Sequence, residues 1–350
     1  MAERRVKFGV VGASPMGMNH IRSVARHPKM ELVAICDKEK DRVEAAGAET
    51  GVTTLYTDWH DLINDANVEA VVLCIPDAWH AEMTEAALAA GKDVLCEKPM
   101  ALTIEECERM RAAEKKYGGR LMVGQIGRYT PAFKLTKELI DRGEIGELYF
   151  VESEYAHDYL HSRGMDDWRV DPRREPYIGG GCHAVDLLRW IVGNPTEITA
   201  YSNHKCLTDW PINDCTISIL RFPNDVIGKV FVSIGCKRDY TMRSCFYGTK
   251  GTIICDNTSN HITIYKETLN DKDSIFTGKH ANTKVIPIQL PVTLSNHNTY
   301  GELESFADSI LNDTPVTCTS YDGECTVTVC ISAMESARNG KPVEIKYPEK

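Results

Sequence analysis

The chain has 350 residues, of which 40 are basic and 50 acidic, so its formal net charge is −10. No block of basic residues is present, and this charge argues against a nucleic-acid or anionic-membrane partner. The sequence contains no run of about 18 apolar residues, so no transmembrane helix is predicted. The 13 cysteines form no Cys-x-x-Cys pair and no signal-peptide pattern opens the chain. We therefore expect a reduced, cytoplasmic protein without a zinc ribbon or a redox motif.

The first predicted strand runs into a glycine-containing turn. Val6–Val11 predicts a strand, the turn Gly12-Ala13-Ser14-Pro15-Met16-Gly17 follows, and a helix comes next. A second predicted strand, Glu31–Cys36, ends at Asp37. This order is typical of a Rossmann fingerprint, in which a turn and a helix N-terminus hold a phosphate and an acid binds the ribose. The predicted dinucleotide-binding residues are Gly12, Ser14, Met16, Gly17 and Asp37.

The fingerprint departs from its usual form at one position, because Ser14 replaces the middle glycine. Serine is small enough for a pyrophosphate to approach, and its hydroxyl adds a hydrogen-bond donor. Asp37 should bind the adenosine ribose and repel a 2′-phosphate, so we predict NAD rather than NADP as the cofactor. Lys38 next to it would offset part of that repulsion, unless it is a solvated surface lysine.

Strands and helices continue to alternate up to residue 124. Such alternation predicts a parallel, doubly wound sheet, and we assign residues 1–124 to a Rossmann domain. Thr103 and Glu106 have the spacing of a capping box at the start of the last helix. The predicted elements are the helix Asp41–Thr50, the strand Glu69–Cys74, the helix His80–Ala90, the strand Val94–Cys96, the helix Thr103–Tyr117 and the strand Leu121–Val123.

Charged residues follow one buried strand of this domain directly. Glu97-Lys98-Pro99 comes after Val94–Cys96, a short apolar run typical of a strand buried on both faces. Open α/β sheets bind ligands at the carboxyl ends of their strands, so this tripeptide is expected to face a ligand. Pro99 restricts the backbone of Lys98 and so directs the lysine. The alternative is an ordinary surface loop with a solvated lysine.

Four motifs together resemble the glucose–fructose oxidoreductase / inositol dehydrogenase (Gfo/Idh/MocA) family. They are Gly9-Val10-Val11-Gly12 with Gly17, Cys74-Ile75-Pro76-Asp77-Ala78-Trp79-His80, Glu97-Lys98-Pro99, and Gly179-Gly180-Gly181-Cys182-His183-Ala184-Val185-Asp186. The resemblance covers essentially the whole chain. It implies an α/β protein with an N-terminal Rossmann domain and, over residues 125–350, a C-terminal α/β domain with a large, mostly antiparallel open sheet. It also implies an NAD(P) cofactor and a sugar-like or cyclitol-like substrate.

The resemblance also implies roles for individual residues. Lys98 matches the catalytic lysine of the family and Glu97 its neighbour on the cofactor side. His183 matches the active-site histidine, and the alternative is a structural histidine. Ile75 and His80 match positions that line the nicotinamide half of the cofactor, whereas His80 could instead make a local helix cap.

One position departs from the family pattern. Many members have an aspartate four residues before the active-site histidine, and this chain has Gly179 there. Either His183 works with Lys98 alone, or a carboxylate from elsewhere takes the place of that aspartate. A metal cluster of Cys182, His183 and Asp186 fits no familiar zinc spacing, so no metal site is predicted.

A polar and aromatic segment precedes the glycines. Aromatic faces can stack on the C–H surface of a polyhydroxylated ligand, and charged groups can bind its hydroxyls. Long loops of this kind are often functional. The alternative is that the aromatic residues pack on the domain and the charges are solvated. The predicted substrate-binding residues are Tyr155, His157, Asp158, Trp168, Arg169 and His183.

The remainder of the chain is rich in predicted strands and ends in two helices. Consecutive antiparallel hairpins would make a meander with one face on helices and one face outward. Val230, Val232 and Ile234 alternate with Phe231 and Ser233, so both faces are fairly apolar. We therefore expect a homo-oligomer that pairs through this sheet.

The favoured function is NAD-dependent oxidation of a secondary hydroxyl of a sugar, cyclitol or glycoside, including C3 of a glycoside. Hydride would pass to the nicotinamide, and Lys98 and His183 would handle the proton. A second hypothesis is a redox-neutral, NAD-dependent enzyme that cleaves a glycoside. A third is an NAD-binding transcriptional co-regulator, against which the presence of Lys98 and His183 argues.

Overall fold

The computed structural model describes residues 4–163, 165–266 and 287–350. These residues form two units, and each unit takes residues from separate parts of the chain. Unit 1 consists of Met1–Ile126, Asn298–Thr328 and Tyr347–Lys350, and unit 2 of Gly127–His297 and Val329–Lys346. The limits 1–124 and 125–350 divide the chain by sequence, whereas the units group residues in space.

Unit 1 contains a parallel sheet. Its strands are β1 (Val6–Val11), β2 (Met30–Cys36), β3 (Leu55–Tyr56), β4 (Ala70–Leu73), β5 (Asp93–Glu97) and β6 (Leu121–Gly124). Its first helices are α1 (Pro15–Arg26), α2 (Lys40–Thr50), α3 (Trp59–Asn64), α4 (His80–Ala89) and α5 (Ile104–Tyr117). Among the described residues the sheet has six strands in the order β3-β2-β1-β4-β5-β6, all parallel. The predicted Rossmann fold is therefore confirmed.

Local signals explain most of these elements. The central strand β4 is buried along its whole length, as expected for a strand covered by helices on both faces. The capping box at the start of α5 is present, with Thr103 Oγ1 accepting from the Glu106 amide at 3.1 Å and Glu106 Oε2 accepting from the Thr103 amide at 3.2 Å. Sequence analysis missed β3 and α3, because two and six residues are too few for a clear periodicity.

Unit 2 contains a mixed sheet. Its strands are β7 (Leu148–Ala156), β8 (Glu197–Asn203), β9 (Cys215–Arg221), β10 (Ile227–Ser233), β11 (Arg243–Gly248), β12 (Gly251–Asp256), β13 (His261–Lys266), β14 (Pro287–Pro291) and β15 (Val343–Glu344). Its helices include α6 (Pro131–Asp141), α7 (Pro176–Gly179) and α8 (Cys182–Val192). Within the described ranges this sheet has nine strands in the order β14-β13-β12-β11-β7-β10-β9-β8-β15.

The prediction of one continuous meander was wrong at the centre of this sheet. β7 lies between two meanders and pairs antiparallel with β11 but parallel with β10. A parallel pair needs a long crossover connection, and the chain between β7 and β10 includes α7 and α8. Hairpin signals are local, so they reveal each meander but not the strand inserted between them. The predicted C-terminal α/β domain with a mostly antiparallel sheet is confirmed.

Two helices complete the described chain, α9 (Thr299–Asn312) in unit 1 and α10 (Ser320–Asn339), which has residues in both units. α9 packs on α1 and β1, and the ring of Phe306 meets the ring of Phe8 edge-on at 6.1 Å between centroids. The Ser23 and Thr299 hydroxyls are 2.8 Å apart at the same contact. In the described part of the chain no helix combines the length and hydropathy needed to cross a membrane.

The Gly12→Ala substitution tests the turn after β1. Gly12 has φ +98°, and a Cβ there would overlap the carbonyl oxygen of Cys74. We expect the free energy of unfolding to fall by about 3 kcal/mol, because roughly 1–2 kcal/mol of backbone strain adds to roughly 1–3 kcal/mol of overpacking. Urea denaturation followed by circular dichroism measures this loss.

The matched control is Gly51→Ala, at the end of α2. Gly51 also has positive φ, +77°, but a Cβ there would meet no atom within 4 Å. Only the strain of about 1–2 kcal/mol is expected. Equal losses in the two variants would contradict the close approach at Gly12.

Candidate active site

The turn between β1 and α1 is tied to the end of β2. The Gly12 amide donates to the Cys36 carbonyl at 2.8 Å, and the Ala13 amide donates to Asp37 Oδ2 at 2.7 Å. The other carboxylate oxygen of Asp37 accepts from the Glu39 amide at 2.9 Å. This carboxylate therefore fixes the turn and marks the end of β2, where a ribose-binding acid is expected.

The start of α1 fits the phosphate of a dinucleotide. A Cβ at Gly17 would overlap the carbonyl oxygen of Gly12, so only glycine allows the helix to begin this close to the turn. Ser14 is the N-cap residue, but its side chain makes no capping hydrogen bond. Ser14 and Met16 are both partly exposed. Free backbone amides and the positive end of the helix dipole at such a terminus favour an anion.

A buried, hydrogen-bonded carboxylate lies at the carboxyl end of β5. Glu97 Oε1 accepts from His20 Nε2 on α1 at 2.9 Å, and Glu97 Oε2 accepts from the Lys98 amide at 3.1 Å. Burial alone would raise the pKa of Glu97. The hydrogen bond and charge of His20, together with Lys98, outweigh burial and lower this pKa to about 2. Glu97 is thus a carboxylate anion beside the partly exposed Lys98.

The loop that carries Lys98 is supported by His80. Its Nδ1 is 2.9 Å from the Pro99 carbonyl oxygen and its Nε2 is 3.2 Å from that of Ile75, and the side chain is fully buried. Two carbonyl acceptors are both satisfied only by the doubly protonated ring. Burial lowers the pKa of His80, but Cys96, Asp77 and the Pro99 carbonyl outweigh burial and raise it to about 10. A contact between His80 and a cofactor stays a prediction, because its side chain is engaged by the protein.

A second carboxyl group lies close to Glu97. Glu302 on α9 is fully buried, and one ligand atom each of His20, Glu97 and Glu302 lie within 4.8 Å of one another. Burial and the neighbouring Glu97 carboxylate raise the pKa of Glu302 well above its ordinary value, although Lys98 acts in the opposite direction. The two acids are therefore driven to opposite protonation states.

In unit 2 the predicted His183 lies in an aromatic cluster. Its ring stacks on Tyr155 with centroids 6.1 Å apart, and the Tyr155 hydroxyl is 2.7 Å from the Tyr159 hydroxyl. Tyr240 packs against both Tyr155 and His157, at 5.3 and 5.0 Å between ring centroids. Burial and the neighbouring tyrosines raise the pKa of Tyr155 well above its ordinary value, so its hydroxyl stays protonated. The structure thus brings together Tyr155, His157 and His183.

The position of the missing aspartate is filled by a cation. A Cβ at Gly179 would lie 2.6 Å from Cζ of Arg174, and Nη2 of this buried arginine donates to the Gly179 carbonyl at 3.2 Å. The guanidinium carbons of Arg174 and Arg169 lie 4.5 and 4.4 Å from the centre of the Trp168 ring. No carboxylate fits at residue 179 unless Arg174 moves. The lack of a side chain at Gly179 therefore leaves room for a positive charge beside it.

Two further acids of the sequence analysis have hydrogen-bond partners outside the aromatic cluster. Asp158 pairs with Lys237 at 3.1 Å and accepts a hydrogen bond from the Leu160 amide. Neither partner belongs to the aromatic cluster. Asp186 on α8 accepts two hydrogen bonds from Arg128, at 2.9 and 2.8 Å, and both side chains are almost fully buried. This bidentate pair gives Asp186 a structural role, because it anchors the helix that carries His183.

Sequence analysis did not identify His20, Glu302 or Arg174. A signal existed for Glu302, because it occupies the same helical face as the buried residues Leu303 and Phe306. A carboxyl group within an apolar stripe indicates a buried polar interaction. No sequence pattern indicates Arg174, since its position depends on the fold of the segment before Gly179.

Comparisons with known proteins agree with this geometry. Residues 6–125 match the model of an oxidoreductase family with an NAD-binding Rossmann fold, and residues 133–254 match the GFO/IDH/MocA C-terminal domain. The chain is 31% identical over 262 residues to inositol 2-dehydrogenase/D-chiro-inositol 3-dehydrogenase of Lactiplantibacillus plantarum, covering 72% of each chain. It is 27% identical over 359 residues to scyllo-inositol 2-dehydrogenase (NAD(+)) of Bacillus subtilis, covering 98% of this chain and 97% of that one.

Solved structures show the same fold. The complex of levoglucosan dehydrogenase with NADH superposes with a TM-score of 0.87 at 21% identity, over 99% of this chain and 100% of that one. An oxidoreductase domain protein from Kribbella flavida gives a TM-score of 0.87 at 25% identity, with the same coverage.

The protein is therefore an oxidoreductase with an NAD-binding Rossmann fold. More specifically, it belongs to the GFO/IDH/MocA family, as the motifs at Gly12, Lys98 and His183 indicated. The prediction that the chain is an enzyme of this class is confirmed.

The Asp186→Asn substitution tests the buried pair. It removes the charge that neutralises Arg128 in an environment where their side chains are only 2% and 4% exposed. We expect the free energy of unfolding to fall by about 3–5 kcal/mol, since an uncompensated charge stays buried. In the control Asp141→Asn, an exposed pair with Lys137 on α6 is lost, and we expect a change below about 1 kcal/mol. Similar losses in urea denaturation would contradict the assignment.

Proposed function

We propose that the enzyme oxidises a secondary hydroxyl of a cyclitol or related sugar, with NAD⁺ as the hydride acceptor. The observation that carries this proposal is the Glu97–Lys98 pair, which places an amine at the carboxyl end of β5 in an NAD-binding fold. Ligands of open α/β sheets bind at that end of the strands. The relatives named as inositol dehydrogenases support cyclitols as the first class to test.

Lys98 is proposed as the group that takes the hydroxyl proton. When bound, the nicotinamide supplies the hydride chemistry, and the protein supplies position and a proton acceptor. The Glu97 carboxylate beside Lys98 and the hydrogen bond from His80 to the Pro99 carbonyl hold the lysine loop in place. His183 is proposed to share in the proton transfer, because an imidazole titrates in the useful range.

The aromatic cluster of unit 2 is proposed to recognise the substrate. The partly exposed His157 ring offers surface on which the C–H face of a cyclitol can stack, and the buried Tyr155 ring packs edge-on against it. Trp168 and Arg169 extend this polar and aromatic surface. Asp158 is proposed as a hydroxyl-binding residue at its edge. We retain C3 oxidation of a glycoside as a narrower form of the same reaction.

We propose NAD as the preferred cofactor over NADP. Both carboxylate oxygens of Asp37 accept backbone hydrogen bonds, so its charge is fixed where a 2′-phosphate would have to lie. We place Gly12, Ser14, Met16 and Gly17 at the pyrophosphate and Ile75 at the nicotinamide. A cytoplasmic location remains part of the proposal.

The Lys98→Ala substitution tests the function. Wild-type enzyme is assayed for NADH formation with NAD⁺ or NADP⁺ against a panel of cyclitols, free sugars and glycosides. For the best substrate we expect kcat to fall about 10²–10⁴-fold in the variant, the contribution of a positioned acid–base group, while NAD⁺ still binds. Lys40→Ala is the control, because Lys40 is an exposed partner of Glu44 on α2 and should leave kcat unchanged.

Three outcomes would contradict the proposal. Turnover that survives the loss of Lys98 removes its catalytic role. Cleavage of a glycoside without net NADH supports the redox-neutral alternative. Cofactor binding without any turnover across the panel supports the co-regulator.

We also propose that the enzyme self-associates through the outer face of the unit 2 sheet. Side chains of β9 alternate between buried and exposed, and its exposed positions include Ile217 and Ile219, 40% and 48% exposed. Tyr201 on β8 lies opposite Ile217 and is 68% exposed. An exposed apolar surface of this kind is typical of an interface between identical subunits.

The double substitution Ile217→Lys/Ile219→Lys tests this surface. We expect light scattering to show an oligomer for the wild type and a smaller species for the variant, because two charges would be buried in the contact. Leu294→Lys, at another exposed apolar residue, is the control and should keep the wild-type mass. A monomeric wild type, or an oligomer that tolerates both lysines, would refute the proposal.

A further inference from the structure

Glu302 is a buried acid to which the proposed reaction gives no role. Both of its carboxyl oxygens are buried and lack a hydrogen-bond partner among the described residues. Leaving an ionised carboxylate in this condition is highly unfavourable, since no hydrogen bond from the described residues compensates its charge. Either the group is neutral, or something absent from the chain itself binds it.

The charges around Glu302 favour the neutral form. The Glu97 carboxylate faces it from β5 and His20 from α1, with one ligand atom of each group within 4.8 Å. Lys98 and the buried thiol of Cys74 also lie within electrostatic range. Two adjacent buried carboxyl groups cannot both ionise easily, so one of them keeps a proton. Glu97 has the hydrogen bonds of the ionised partner, from His20 and from the Lys98 amide.

We propose that Glu302 is held as a protonated carboxylic acid and acts as a positioning residue for the Glu97–Lys98 pair. In this state only one negative charge, that of Glu97, lies beside Lys98. Ionisation of Glu302 would add a second negative charge near Lys98 and repel Glu97. The lysine amine would then be attracted toward Glu302, and the geometry of the Glu97–Lys98 pair would change. The link to turnover rests on the proposed function, whereas the protonation state does not.

Infrared spectroscopy tests the protonation state without any substrate. We expect the wild type to show a carboxylic-acid C=O band at neutral pH that shifts when glutamate is labelled with ¹³C and is lost in Glu302→Gln. Glu304→Gln on the same helix is the control, because Glu304 is a partly exposed partner of Lys29, and it should keep the band. The absence of such a band in the labelled wild type would overturn the proposal even if Glu302→Gln failed to fold.

The pH dependence of stability gives a second measurement. The folded-state pKa of Glu302 lies above its ordinary value of 4.5. The contribution of Glu302 to stability is therefore fully present below pH 4.5 and is lost as the pH rises through the folded-state pKa. Glutamine stays neutral, so the free energy of unfolding of Glu302→Gln should rise relative to the wild type as the pH increases. Glu304→Gln should show no such rise. A difference that is constant with pH would contradict the proposal.

Activity then separates positioning from mere packing. Glutamine has the shape and neutrality of the protonated acid, so Glu302→Gln should keep most of kcat and extend it to higher pH than the wild type. Glu302→Ala is equally neutral but leaves a cavity beside Glu97 in which the Glu97–Lys98 pair can shift, so it should lose kcat at every pH. Equal losses in the two variants would overturn the positioning role.

Stoichiometric binding of Mn²⁺ or Zn²⁺ by the wild type, lost in Glu302→Gln, would also overturn the positioning role, because His20, Glu97 and Glu302 would then be metal ligands.

Discussion

The arrangement of the candidate site in unit 1 depends on the hydrogen bonds that the buried Glu97 carboxylate accepts. Glu97 ends β5, accepts a hydrogen bond from His20 on α1, and accepts another from the amide of Lys98. A buried charge is tolerated only when it is hydrogen-bonded and compensated, so the strand, the helix and the lysine loop are fixed relative to one another. The pKa of about 2 follows from the same partners. One electrostatic requirement thus fixes the backbone from which the proposed catalytic lysine extends.

Glycine residues shape both candidate sites, because they allow neighbouring groups to approach where a Cβ would not fit. At Gly12 and Gly17 the missing Cβ allows α1 to begin next to the turn, which leaves backbone amides for a phosphate. At Gly179 it makes room for the guanidinium of Arg174, so the position four residues before His183 is next to a cation. The same residue type therefore forms the cofactor turn in one unit and leaves room for a cation in the proposed substrate site of the other.

Most of the fold and part of the site followed from local patterns. The alternation of strands and helices, the capping box at Thr103 and the Rossmann turn each depend on residues close in sequence, so they could be read directly. The placement of β7 between two meanders could not, because pairing with β10 joins residues far apart in the chain. Among the site residues, Lys98 and His183 belong to local motifs, whereas Arg174 reaches its place only through the fold of the segment around it.

The sequence by itself determined the fold class, the family and the position of the lysine motif, because periodicity and short motifs are properties of neighbouring residues. Only the tertiary structure decided that His80 supports the lysine loop, that Arg174 takes the space at Gly179, and that Glu302 lies against Glu97. Each of these contacts depends on burial and on the distance between charges. Those quantities arise when separate elements pack together, and no stretch of sequence contains them.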